Sequence, residues 1–129
     1  MTLRQKASVA LRAWYWFPLV HAGLRRQGLP RFVQHLSTVK RLRSPRLPAE
    51  RVGRGVERVL RLGPKRARCL IAALVLFRLL REQGEPAELV IGMPLVPRSE
   101  DAHAWVEIDG VDVGPPPGHR GHGELARYR

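Results

Sequence analysis

The chain has 129 residues, of which 44% are hydrophobic and 26% charged, and this composition predicts one globular domain with a buried core. Its 23 lysines and arginines outnumber its 11 acidic residues, and the formal net charge of +12 suits an acidic partner. The single cysteine excludes an internal disulfide and a zinc site of four thiolates, and it favours a reducing compartment, the cytoplasm.

Residues 1–47 are predicted to form a helical N-terminal region. A first helix is expected over residues 3–24, kinked at Pro18. Its apolar stretch is interrupted by Arg12 and His21, and it is too short for a spanning helix of about 20 apolar residues. We interpret it as a core or interface helix, with peripheral membrane contact as the alternative. A second helix is predicted after Gly28, where apolar residues recur at helical spacing: Phe32, Val33, Leu36 and Val39.

Residues 48–118 are predicted to form the core of the domain. A third helix is expected to begin with Pro48 in its first turn and to place Val52, Val56, Val59 and Leu60 on one face. A fourth helix is expected after the Gly63-Pro64 break and to end at Gly84. Residues 69–77 are nine consecutive apolar residues, so this fourth helix is predicted to be buried on most sides.

Strand patterns follow the helices. Residues 87–93 and 102–108 predict two strands, and the dipeptide Asp109-Gly110 predicts a hairpin turn into a third strand over residues 111–113. Residues 119–129 are predicted to be a flexible tail. Helices followed by strands indicate an α+β fold, with the buried fourth helix packed on a small antiparallel sheet.

Cys69 lies near the start of this fourth helix, and its position favours a reactive thiol. A helix N-terminus lowers the pKa of a nearby thiol, and Lys65, Arg66 and Arg68 add positive charge just upstream. Free backbone N–H groups at the same helix end could hold the oxyanion of a tetrahedral intermediate. We therefore predict that Cys69 is a nucleophile. The alternative is a small buried side chain without chemistry.

A thiol nucleophile needs a base, and His103 is the best placed of the five histidines. It begins a strand directly after a loop, and Trp105 follows on the same face, where it could shield the site from water. The alternative for His103 is a strand histidine satisfied by packing. The remaining histidines are predicted to be surface or packing residues: His21, His35, His119 and His122. One cysteine and one well-placed histidine are too few ligands for a metal site, and we expect no metal or cofactor.

Three segments in this order resemble the lasso-peptide biosynthesis leader peptidases of the transglutaminase-like cysteine protease superfamily: Cys69-Leu70 at the start of an apolar helix, residues 79–92 (LLREQGEPAELVIG) and residues 102–110 (AHAWVEIDG). The resemblance covers roughly residues 48–118. It implies a papain- and transglutaminase-like core in which a Cys-His-Asp triad hydrolyses the bond between leader and core of a precursor peptide. It assigns Cys69 as the nucleophile and His103 as the general base.

The third member of the triad departs from the family pattern. The family places its aspartate about a dozen residues after the histidine, where this chain has Pro115. Asp112 is the nearest carboxylate, and a two-residue turn would place it opposite Glu107 on the face of His103. We select Asp112 as the predicted third member. Glu107 is an alternative orienting group, and Asp109 is interpreted as a turn residue.

The resemblance also implies partners: a precursor peptide, a small leader-binding protein and an ATP-dependent macrocyclase. Two other hypotheses stay open. The chain could be an inactive scaffold of the same fold, because Pro115 replaces the expected aspartate, or a nucleic-acid-binding module, because of its charge. The chain has no nucleic-acid motif with the required spacing, so we predict no nucleic-acid partner. Arg54, Arg58 and Arg61 form either a solvated charged face or a surface for an acidic leader.

Overall fold

A computed structural model describes residues 2–38, 47–60, 65–94, 103–114 and 122–129, except for the side chains of residues 65–69, 93–94 and 122. In these ranges four helices precede four strands. The helices are α1 (Leu3–Gln27), α2 (Leu29–Ser37), α3 (Ala49–Val59) and α4 (Lys65–Glu82). The strands are β1 (Ala87–Pro94), β2 (His103–Ile108), β3 (Val111–Gly114) and β4 (His122–Tyr128). The predicted α+β class is confirmed.

The first helix is longer than its sequence pattern predicts. Thr2 caps it, because its hydroxyl oxygen accepts the Gln5 backbone N–H at 3.1 Å while the Gln5 side chain accepts the Thr2 N–H at 2.9 Å. The helix continues through Pro18 and ends at Gly28, whose φ of 77° directs the chain straight into α2. None of the described helices is long and apolar enough to cross a membrane.

Helix α4 forms the centre of the core. It packs against all three other helices and against β1 and β2. From Ile71 to Phe77 every side chain is buried, as the apolar run predicts, because a helix surrounded by neighbours has no solvent face to leave polar. Gly84, with a φ of 80°, accepts the left-handed conformation that ends the helix, and its N–H donates to the Arg81 carbonyl at 2.9 Å.

The strands form one antiparallel sheet in the order β3-β2-β1-β4. Asp109 and Gly110 have φ values of 52° and 79°, which makes the predicted two-residue hairpin turn, with Ile108 opposite Val111. The sheet has an inner face, whose buried residues join the α4 core: Ala87, Leu89, Ala104 and Val106. Residues at the alternate positions lie on its outer face, including Trp105 and Glu107.

The prediction of a flexible tail over residues 119–129 is wrong for residues 122–128. They form β4, which pairs with the free edge of β1, from Leu89 opposite Tyr128 to Pro94 opposite His122. A β-bulge between Ile91 and Gly92 keeps the two strands paired. Tyr128 packs against the core, so the strand is held by side-chain burial as well as by backbone hydrogen bonds.

Candidate active site

Cys69 lies in the second turn of α4, which begins at Lys65. At a rise of about 1.5 Å per residue, its backbone is about 6 Å from the start of the helix, one turn beyond the residues on which the helix dipole acts most strongly. The first turn of α4 contains no acidic residue that would oppose this effect. The Cys69 side chain lies outside the described residues.

His103 is the first residue of β2, and its half-buried side chain lies beside β1, where its backbone partner is Gly92. Helix α4, which carries Cys69, packs directly against β2. The fold therefore brings into contact the two elements on which the sequence places the predicted nucleophile and base. His103 itself occupies an outer-face position of β2, next to the inward-facing Ala104, whereas α4 packs on the inner face. Because the Cys69 side chain lies outside the described residues, the catalytic pair of Cys69 and His103 stays a prediction.

Trp105 covers the outer face next to His103. Only 4% of the residue is exposed, and its indole Nε1–H donates to Glu107 Oε2 at 2.8 Å. Its ring fills the space over Gly92, where a β-carbon would lie 2.5 Å from Trp105 Cη2 and 2.9 Å from the Gly123 carbonyl oxygen. A glycine is therefore required opposite His103, because any side chain at this position would displace either the indole ring or β4.

Asp112 lies opposite Glu107, as the two-residue turn predicts, and shares the outer face with His103. It is not, however, next to His103. Glu107 and His103 are four residues apart in β2, about 13 Å along the strand. An aspartate, an imidazole and one hydrogen bond of about 2.8 Å do not span that distance. Asp112 Oδ1 instead accepts the Gly114 backbone N–H at 2.8 Å, so the register does not support a direct bond between Asp112 and the imidazole.

Glu107, the alternative orienting group, is occupied by other partners. Its Oε2 accepts from Trp105, and its Oε1 accepts from Arg127 of β4 at 3.0 Å. Arg127 also binds Glu88 at 2.6 Å and Glu124 at 2.7 Å, so one guanidinium joins carboxylates from three strands across the outer face. These bonds raise the pKa of Arg127 above its usual range, the hydrogen bond with Glu124 contributing most. We call Arg127, Glu88, Glu107 and Glu124 the outer-face ion cluster.

The sequence alone does not predict this cluster, because residues 119–129 are expected from their composition to be a flexible tail. Residues 124–128 (ELARY) have no alternation of polar and apolar side chains that would predict a strand. The histidines on the helices lie at the surface, as predicted. His21 is exposed on α1, and the exposed His35 ring stacks on Phe32 with centroids 6.5 Å apart. His119 and the His122 side chain lie outside the described residues. Within the described ranges, no three His, Cys, Asp or Glu side chains converge as a metal site.

Comparison with known protein families gives one match. Residues 11–125 match the family model described as the transglutaminase-like superfamily. No curated protein and no solved structure matches the chain significantly. The matched range extends beyond the predicted core of residues 48–118 in both directions, and it includes most of α1 and the first half of β4. Because the match covers most of its length, the chain belongs to the transglutaminase-like superfamily.

Proposed function

We propose that the protein is a cysteine protease that removes the leader from a ribosomally made lasso-peptide precursor. The superfamily to which the chain belongs includes cysteine proteases. One structural observation carries the proposal: the helix that bears Cys69 packs against the strand that begins with His103. The leader and the lasso precursor rest on the sequence resemblance of residues 69–70, 79–92 and 102–110.

In the proposed reaction, His103 accepts the proton of the Cys69 thiol, and the thiolate attacks the carbonyl carbon of the bond between leader and core. Negative charge that forms on the carbonyl oxygen is stabilised by free backbone N–H groups at the start of α4. The imidazolium returns the proton to the departing amine, which leaves a thioester on Cys69. Water, deprotonated by His103, then hydrolyses the thioester and restores the free thiol.

The reaction needs the imidazole of His103 to be held in place. Asp112 was the predicted orienting group, but its register favours a different role. By accepting the Gly114 N–H, Asp112 fixes the end of β3, and its effect on His103 is indirect. We propose a Cys69–His103 pair as the catalytic core, with Asp112 as a positioning residue of the hairpin. A thiol tolerates a weaker base than a hydroxyl does, since it is intrinsically more acidic.

The proposal is tested by incubating the purified protein with a lasso precursor peptide and its leader-binding partner, and by following cleavage with mass spectrometry. Wild-type protein is expected to release the leader, whereas Cys69→Ala and His103→Ala are expected to release none. His35→Ala, a histidine exposed on α2, serves as the matched control and should cleave at the wild-type rate. Undiminished cleavage by Cys69→Ala would reject the mechanism.

An inactive scaffold of the same fold is the second candidate, because the register leaves Asp112 away from His103. A scaffold does not need an activated thiol, so its Cys69 should react as an ordinary cysteine with a pKa near about 8.5. The rate of iodoacetamide labelling against pH separates the two candidates. A protease should show a reactive thiolate well below that pH, and this low-pH reactivity should disappear in His103→Ala.

A further inference from the structure

A groove of about 460 Å³ lies between α1 and α3. Its floor is apolar and is formed by Val9 and Ala10 of α1 together with Val59 of α3. The two helices approach closely at Gly55, where a β-carbon would lie 3.1 Å from Val9 Cγ1. At about 460 Å³ the groove has the volume of a ligand pocket rather than of a flat surface.

The rim of the groove is positively charged. Arg51, Arg54 and Arg58 recur at helical spacing along one side of α3, and Lys6 faces them from α1. All four side chains are exposed, and none makes an ion pair or a side-chain hydrogen bond with another described residue.

Three better-buried arginines of the fold are matched to carboxylates. Arg12 and Arg78 both bind Glu82, and Arg127 binds three glutamates. The two carboxylates of α3, Glu50 and Glu57, do not line the groove. The four rim cations therefore repel one another, and a bound anion would relieve that repulsion.

We propose that this groove is an exosite that binds an acidic segment of the peptide substrate, with an apolar side chain on the floor and carboxylates on the rim. The inference rests on the proposed protease function. A concave apolar floor favours a peptide over nucleic acid, whose phosphates need no apolar contact. It also disfavours a lipid surface, which is met by protruding rather than recessed apolar side chains.

The groove lies within the reach of one substrate chain from Cys69. Five residues lie between Val59 and Lys65, so the six steps along the chain span at most about 21 Å, and the four further residues to Cys69 rise about 6 Å in α4. The floor is therefore no more than about 27 Å from the Cys69 backbone. An extended peptide covers this distance with about eight residues. An acidic segment held in the groove would thus keep a nearby scissile bond at the catalytic pair.

Binding is measured by fluorescence anisotropy with the Cys69→Ala protein and a labelled synthetic peptide in which two leucines are flanked by glutamates. We expect affinity to fall at least about tenfold for Arg54→Glu and to weaken as salt rises. Arg31→Glu is the matched control, since Arg31 is exposed on α2 away from the groove, and it should change affinity less than about twofold. Peptides with glutamine for glutamate, or with serine for leucine, should each bind at least about tenfold more weakly.

Equal losses for Arg54→Glu and Arg31→Glu would overturn the exosite in favour of general charge attraction. Unchanged binding of the serine peptide would also overturn it, as would displacement of the peptide by anionic phosphatidylglycerol vesicles. The comparison of the glutamine and serine peptides with the parent peptide still tests the exosite if a protein variant fails to fold. In the wild-type protein, Arg54→Glu should raise KM for an acidic precursor without changing kcat. If wild type cleaves no precursor, the protease function fails and the substrate role of the groove fails with it, whereas cleavage with an unchanged KM rejects the groove alone.

Discussion

Helix α3 packs so closely against the hairpin that replacing glycine by alanine should destabilise the protein at one position of the helix and not at another. Gly53 faces β3, and a β-carbon there would lie far inside van der Waals contact with the Val113 carbonyl oxygen, a backbone atom held in the sheet. Gly55, two residues later, faces α1, where the nearest atom is Val9 Cγ1 at 3.1 Å. We predict that Gly53→Ala destabilises the protein and that Gly55→Ala does not.

The magnitude follows from two terms. Replacing glycine by alanine inside a helix stabilises it by about 1 kcal/mol, and this gain applies equally to both positions. At Gly53 the added methyl group must push α3 away from β3, an overpacking cost of up to about 3 kcal/mol, because the obstructing atom belongs to the backbone. At Gly55 the Val9 side chain needs to shift only a few tenths of an ångström, which costs about 1 kcal/mol, the lower end of the range for overpacking. The two variants should therefore differ by about 2 kcal/mol, with Gly53→Ala the less stable.

Urea unfolding followed by circular dichroism measures the difference, and an unchanged m-value would show that both variants still unfold from a native-like state. For a domain of this size, about 2 kcal/mol corresponds to a difference in Tm of about 8 °C. Equal stabilities, or a Gly53→Ala protein more stable than Gly55→Ala, would refute the proposed contact between α3 and β3. The placement of the hairpin that carries the predicted base would then need revision.

Three further predictions concern the outer face of the sheet. Asp112→Asn should slow precursor cleavage by less than about tenfold in single-turnover assays, because Asp112 is too far along the hairpin to bond His103; a loss near the 10⁴-fold seen for an orienting aspartate would contradict this register. Arg127→Met should lower the free energy of unfolding by about 1 kcal/mol, since it leaves Glu88 without its closest cation, and adding Glu88→Gln should recover part of that loss in urea titrations. Arg127 lowers the pKa of Glu124 below its usual 4.5, mainly through their hydrogen bond. The ionised Glu124 therefore stabilises the fold above pH 4.5, and this stability is lost as the pH falls through the lowered pKa. The Tm difference between wild type and Glu124→Gln should be constant above about pH 5 and shrink in acid.

Much of the fold could be predicted because the signals are local. The apolar run of residues 69–77 predicts a buried helix whatever its neighbours are, and Asp109-Gly110 fixes a hairpin whose register follows from the turn alone. From that register the shared face of His103 and Asp112 was predicted correctly. The same register separates them by four residues of β2, about 13 Å, so a shared face does not by itself bring them into contact.

The fourth strand could not be predicted in the same way. Residues 122–128 are rich in polar and small side chains, and they become a strand only because β1 offers them a free edge. In the sequence, Arg127 cannot be distinguished from the other cations of a basic chain. Only the pairing of β4 places it among carboxylates from three strands. The pairing of β1 with β4 joins residues 28 to 39 positions apart, and no periodicity within a short window reports it.

The sequence has no carboxylate at the position where the family pattern expects one. Pro115, Pro116 and Pro117 follow Gly114, and proline has neither a carboxylate nor a backbone N–H that could donate to a neighbouring strand. Asp112, the nearest carboxylate before these prolines, pairs with Glu107, four residues along β2 from His103. A catalytic pair of Cys69 and His103 would then act without an aspartate of this hairpin bonded directly to the imidazole. A thiol tolerates this better than a serine hydroxyl does, because it is intrinsically more acidic and more nucleophilic.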